Sequence, residues 1–121
     1  NRSILAVDDA RDNLTLIEMF LRNTKAEIVF AHNGLEALEA YKKKSFDLVL
    51  MDIQMPKMDG LEATEEIRKL NAQVPIIALT AHVGQSEYDS CIKAGCNDVL
   101  LKPISKNHLI EIVQKSLTSS V

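Results

Sequence analysis

Two acidic residues, Asp8 and Asp9, follow directly on the apolar run Ser3-Ile4-Leu5-Ala6-Val7. A third, Asp52, follows directly on Leu48-Val49-Leu50-Met51. Both runs read as buried strands. In a parallel α/β sheet the carboxyl ends of neighbouring strands lie side by side, and the crevice outside them is where ligands bind. Residues about forty apart in sequence then share one small pocket. Carboxylates gathered there repel one another strongly at low dielectric. A cation relieves that repulsion, and an all-oxygen donor set suits Mg²⁺ best.

The rest of the chain supplies the elements that such a crevice needs. Short apolar runs alternate with longer amphipathic stretches. Residues 3–7 read as a first strand, and Leu14, Ile17 and Leu21 make one face of a helix over about residues 11–23. Residues 27–31 read as a second strand; Asn33-Gly34 then punctuates the chain, and Leu35, Leu38 and Tyr41 repeat at helical spacing. The run Lys42-Lys43-Lys44 suits a helix C-terminus, where cations meet the negative end of the dipole.

Residues 47–51 form the third expected strand, and a loop with Pro56 and Gly60 follows. Leu61, Thr64, Ile67 and Leu70 make the next helical stripe. A fourth strand spans 75–80, with Pro75 at its start where no ladder donor is lost. Residues 85–94 form a polar helix with a weak apolar face at Tyr88, Cys91 and Ile92, stopped by Gly95. A short fifth strand spans 99–101, and Ser105 caps a last helix carrying Leu109, Ile112, Val113 and Leu117. The expected fold is α/β, a (βα)₅ chain. Near-continuous Ile/Val/Leu strands mean burial on both faces, hence a parallel sheet between helices.

Composition narrows the function classes. The 121 residues are read as one domain, 1–121, with 46% apolar and 26% charged residues. A net charge of −3 and a pI near 5.6 give no electrostatic footprint for nucleic acid. No apolar run reaches the ~18 residues of a membrane span, so no membrane contact is expected. Arg2, followed by a short strand ending in two acids, does not match a signal peptide. Cys91 and Cys96 form no disulfide or metal framework and fit a reducing, cytoplasmic setting. The chain opens at Asn1 rather than Met, as expected of a domain cut from a longer protein.

The chain resembles the receiver domain of two-component response regulators over essentially all of its length. The resemblance rests on Val7-Asp8-Asp9, then Met51-Asp52-Ile53-Gln54-Met55-Pro56, Met58-Asp59-Gly60, Leu79-Thr80-Ala81 and Lys102-Pro103. It implies a flavodoxin-like sheet of order 2-1-3-4-5. The wording around Asp52, with Ala78-Leu79-Thr80-Ala81-His82, looks most like receivers of hybrid histidine kinases.

By that resemblance Asp52 accepts a phosphoryl group from a histidine kinase or a histidine phosphotransfer domain, by nucleophilic catalysis. Asp8, Asp9, Asp52 and the backbone carbonyl of Gln54 hold Mg²⁺, for which Mn²⁺ can substitute. Thr80 hydrogen-bonds one phosphoryl oxygen and Lys102 neutralises another, with the Lys102-Pro103 bond cis. Such a chain is an enzyme only in catalysing its own phosphorylation and dephosphorylation. His82, two residues past Thr80, is placed where side chains line the site in this family; it either tunes hydrolysis or is simply exposed. His32 and His108 stand apart, at no ligand spacing.

One residue departs from the family pattern. Many receivers carry Tyr or Phe three residues before the lysine, where this chain has Val99. The usual aromatic switch is then missing, although phosphorylation is not. Other readings fit the residues less well. A haloacid-dehalogenase-type hydrolase needs a second Asp where Gln54 stands. A flavodoxin needs a Gly- and hydroxyl-rich phosphate loop where Asp8-Asp9 would repel phosphate. A pseudo-receiver, acting only as a docking module, typically lacks a site residue, and none is missing here.

Overall fold

The computed structural model describes residues 2–54, 59–81 and 84–118. Five strands and five helices alternate: β1 Ser3–Val7, α1 Arg11–Leu21, β2 Glu27–Ala31, α2 Gly34–Lys43, β3 Leu48–Asp52, α3 Gly60–Leu70, β4 Ile76–Thr80, α4 Gln85–Ala94, β5 Asp98–Leu101 and α5 Lys106–Thr118. All strand pairs are parallel, and the order is β2-β1-β3-β4-β5. This is the doubly wound sheet that the alternation of runs implies.

The period-two alternation of side chains divides the core into two layers. Leu5, Val7, Val49, Met51, Ile76 and Ala78 point to one face, under Ala37, Tyr41, Ala63, Ile67 and Cys91 of α2, α3 and α4. Ile4, Ala6, Leu48, Leu50, Ile77 and Leu79 point to the other, under Leu14, Ile17, Leu21, Leu109 and Val113 of α1 and α5. β1, β3 and β4 are therefore buried on both faces. The outer strand β2 is only partly covered.

Helix ends follow local chemistry. Asn33 caps α2 by accepting the Glu36 N–H at 2.9 Å, and Asp59 caps α3 by accepting the Glu62 N–H at 2.9 Å. α1 stops at Leu21 and tightens into a 3₁₀ turn over Arg22–Thr24, shorter than the helix expected to residue 23. Lys25 then takes the left-handed region at φ 63°. α4 ends in a Schellman arrangement: Gly95 N–H meets Ile92 O at 3.1 Å, and Cys96 N–H meets Cys91 O at 3.0 Å. Gly95 supplies the φ of 121° that this turn needs, and Cys91 and Cys96 face each other across it in the core.

Two expected helix faces are rotated. α2 buries Gly34, Ala37 and Tyr41, leaving Leu35 exposed; α3 buries Gly60, Ala63, Thr64 and Ile67, leaving Leu70 exposed. A helix lying close on a sheet selects small residues for the contact line, and larger apolar ones flank it. On α4, Cys91 and Ala94 are buried while Tyr88 and Ile92 face outward. β3 also shifts by one residue, because the Asp47 carboxylate accepts the Ser3 N–H at 2.8 Å and Asp52 joins the ladder opposite Leu79. Among the described residues, no helix is long and apolar enough to cross a membrane.

Candidate metal and phosphoacceptor centre

The registers of the central strands bring the acids together. Val7 lies opposite Met51, so the residues that follow them, Asp8 and Asp52, emerge side by side at the carboxyl edge. One carboxylate oxygen from each of Asp8, Asp9 and Asp52 lies within 4.8 Å of the others. Asp8 and Asp52 are buried, at 0% and 1% exposure, while Asp9 is open to solvent.

The two buried carboxylates are pinned in the same way. Asp8 Oδ1 accepts the Ala10 N–H at 2.9 Å, and Asp52 Oδ1 accepts the Gln54 N–H at 3.0 Å. Each is a turn closed two residues on by an aspartate side chain. For Asp8 this bond also organises the start of α1, whose N-cap Ala10 has no side-chain acceptor of its own. The second oxygens face Lys102, whose Nζ lies 3.1 Å from Asp8 Oδ2 and 3.2 Å from Asp52 Oδ2. Lys102 follows β5 and precedes a cis peptide bond to Pro103, and its N–H meets Thr80 O at 2.7 Å.

The oxygens differ in what else they hold. Asp8 Oδ2 also accepts Asn13 Nδ2 at 3.1 Å. Asp52 Oδ2 is buried without a hydrogen bond of good geometry, its ion-pair contact with Lys102 apart. Burial pushes the Asp52 carboxyl up to about 6, and the neighbouring Asp8 charge adds to this against the Gln54 N–H and Lys102. For Lys102, burial pulls downward, but Asp52 and Asp8 together outweigh it and the ammonium is held above its usual range.

Two further features come from the third dimension. Thr80 ends β4, buried at 1% exposure, one residue past the Leu79 that pairs with Asp52. Gly60 opens α3 directly against Asp52: a Cβ there would lie 2.1 Å from Asp52 O and 2.5 Å from Ile53 Cα. Asn13 does not stand out as a site residue in sequence, and Gly60 stands there as part of Met58-Asp59-Gly60 without its contact to Asp52. The signal for Asn13 was an amide in the first turn of the helix after the acidic pair, where side chains lean back toward the N-terminus. His82 lies outside the described residues, as do residues 55–58, where a loop is expected from the sequence. His32 pairs with Glu36 at 2.9 Å on the surface, and His108 is exposed on α5.

The donor set fits a hard divalent cation. Three carboxylates gather together, the Lys102 ammonium meets two of them, and one buried oxygen of Asp52 is left without a hydrogen bond. Oxygen-only ligation by a few carboxylates, completed by water, is what Mg²⁺ favours.

The match to known proteins follows the same residues. The family model "Response regulator receiver domain" covers residues 4–114. Sensor protein GacS of Pseudomonas syringae pv. syringae is 44% identical over 117 residues, covering 93% of this chain and 13% of that protein. Hybrid signal transduction histidine kinase B of Dictyostelium discoideum is 40% identical over 128 residues, covering 94% of this chain and 6% of that protein. The chain thus spans a small fraction of the length of these relatives. The receiver domain of sensor histidine kinase PA1611 from Pseudomonas aeruginosa PAO1, solved with a magnesium ion coordinated in its active-site cleft, superposes with a TM-score of 0.90 at 37% identity. That superposition covers 98% of each chain. On sequence, strand order and acidic centre alike, this chain belongs to the response regulator receiver domain family.

Proposed function

We propose that this chain, residues 1–121, is a single receiver domain that takes a phosphoryl group from a phosphohistidine onto Asp52 in a Mg²⁺-dependent reaction. The observation that carries the reading is Asp52 Oδ2: buried, without a hydrogen bond, and 3.2 Å from Lys102 Nζ beside two more carboxylates. Its lone pair attacks phosphorus, a P–O bond forms, and the P–N bond to the donor imidazole breaks. The electron pair of that bond leaves with the imidazole, which takes up a proton. The chemistry is positioning and charge stabilisation, as in phosphoryl transfer generally.

Asp8, Asp9, Asp52 and the Gln54 carbonyl would hold the cation, with Mn²⁺ able to replace Mg²⁺. Bound there, the cation would neutralise the carboxylates and the incoming phosphoryl oxygens. Lys102 then turns from the carboxylates to a phosphoryl oxygen, and Thr80 donates its hydroxyl to another. The donor is a histidine kinase or a histidine phosphotransfer domain. The resemblance to a sensor kinase receiver and to a hybrid kinase supports a place within a hybrid histidine kinase; a cytoplasmic location is part of the proposal.

The test is incubation with a small acyl phosphate and Mg²⁺. The original protein should gain one phosphoryl mass, labile to hydroxylamine, and Asp52→Asn should gain none. Undiminished labelling of Asp52→Asn would overturn the assignment.

A further inference from the structure

Asp8 and Asp52 are built alike up to one oxygen each. Both pin Oδ1 to a backbone N–H two residues on, and both turn Oδ2 toward Lys102 Nζ. Among the described residues, only Asp8 Oδ2 has a further donor, the side-chain amide of Asn13 at 3.1 Å. A carboxylate only accepts, so the amide end facing it must be the NH₂ group. Asn13 itself is half-buried in the first turn of α1, with its backbone N–H on Ala10 O at 3.1 Å. The Asp8 carboxylate thus receives donors from three directions: Ala10, Asn13 and Lys102.

A buried carboxylate held at both oxygens cannot rotate about its Cβ–Cγ bond without breaking a charge-assisted hydrogen bond. Fixing Asp8 also fixes where Lys102 rests, because the ammonium spans Asp8 and Asp52. The unequal hydrogen bonding leaves Asp52, not Asp8, as the buried acid with an oxygen available for chemistry. Groups that orient ligands from behind commonly change metal affinity by about 10–100-fold when removed.

We propose that Asn13 is a positioning residue of the acidic centre: its amide locks the Asp8 carboxylate and, through it, Lys102, and so sets the affinity of the centre for a divalent cation. The inference rests on the metal reading given above and deepens it. It concerns a residue outside the set that would hold the cation, acting through Asp8.

The experiment is an amide NMR titration with MgCl₂ of four proteins: the original, Asn13→Leu, Asn13→Ala and Gly95→Ala. Asn13→Leu keeps the size of the side chain and removes the donor; Asn13→Ala, a good helix former, keeps the test open should the leucine variant fail to fold. Gly95→Ala is the control for general destabilisation. It strains a residue at φ 121° and presses on Arg68 at the opposite end of the sheet. Melting temperatures in chelator rank the destabilisation of each variant. The expected result is a Mg²⁺ Kd weakened about tenfold in the Asn13 variants, with Gly95→Ala like the original whatever its melting temperature. A Kd within twofold of the original in the Asn13 variants would overturn the role of Asn13. So would an equal weakening in Gly95→Ala. An original protein that binds no Mg²⁺ would overturn the metal reading itself, and this inference with it.

Discussion

Gly60 and Asp52 touch through their backbones: the first residue of α3 sits so close to the last of β3 that a methyl group on Gly60 would come within 2.1 Å of Asp52 O. The neighbour is main chain, which cannot swing aside. The start of α3 and Asp52 are therefore one mechanical unit.

Gly60→Ala should displace α3 or Asp52 by roughly an ångström, as overpacking against rigid backbone does, and cost about 2 kcal/mol of stability. The phosphorylation rate by acyl phosphate should fall at least tenfold at a temperature where the variant is fully folded. Unchanged rates in a stably folded Gly60→Ala would show that α3 can retreat without moving Asp52.

The raised Asp52 carboxyl makes a pH prediction for the metal-free protein. The folded state keeps this proton between about 3.8 and about 6, where the unfolded chain has lost it. The contribution is fully present below the lower value and is lost as pH rises through the upper one. Asp52→Asn removes this penalty and should stabilise the metal-free protein near pH 7, by on the order of 1–3 kcal/mol. Melting curves in chelator from pH 4 to 7 check it: the gap between variant and original should open as pH rises. Parallel curves would mean that Lys102 and the Gln54 N–H already balance the burial.

Mg²⁺ should stabilise the native state by mass action, since the unfolded chain holds no assembled site. The melting temperature should rise with MgCl₂, and Asp9→Ala should abolish most of the rise while leaving the chelated protein nearly unchanged. Asp9 suits this test because its exposed side chain does not carry the packing. A melting temperature of the original protein indifferent to saturating Mg²⁺ would count against the site.

Val99 lies on β5 opposite Ala78, partly buried against the layer under α2, α3 and α4. No ring stands there to swing inward if, as proposed, Thr80 closes on a phosphoryl group. A ligand shifts two states only by its differential interaction with them, and the missing ring removes a term of about 1–2 kcal/mol. Amide shift changes with a phosphoryl mimic and Mg²⁺ should therefore stay near residues 8–9, 52–60 and 80–84. Equally large changes across 85–101 would show coupling without an aromatic switch.

The strands and the acids at their ends were legible because both signals are local. A run such as Leu48-Val49-Leu50-Met51, bounded by polar residues and alternating with helical stripes, reads as a doubly buried strand, and the acid that ends it lies at the carboxyl edge of the sheet. The helix faces were less legible. Leu35 and Leu70 look like core residues by hydrophobicity, yet Ala37 and Ala63 take the contact line because the sheet is near. The contacts of Asn13 with Asp8 and of Gly60 with Asp52 were not legible, for another reason. Their roles depend on which neighbour lies within about 3 Å, and no spacing rule encodes that.

The turn closing α4 has a practical consequence. Cys91 and Cys96 are sealed in the core, and burial pushes both thiols up, Cys96 to about 11. A thiol reagent needs an exposed thiolate, so modification must await an opening of the chain. The protein has no tryptophan to report its unfolding, but it carries this chemical clock instead. With a fast reagent in excess, the labelling rate of Cys96 becomes the opening rate itself; with a slow one, it reads the open fraction. The same chain can then be timed with Mg²⁺, with a phosphoryl mimic, or with Gly60 replaced, and no dye need be attached.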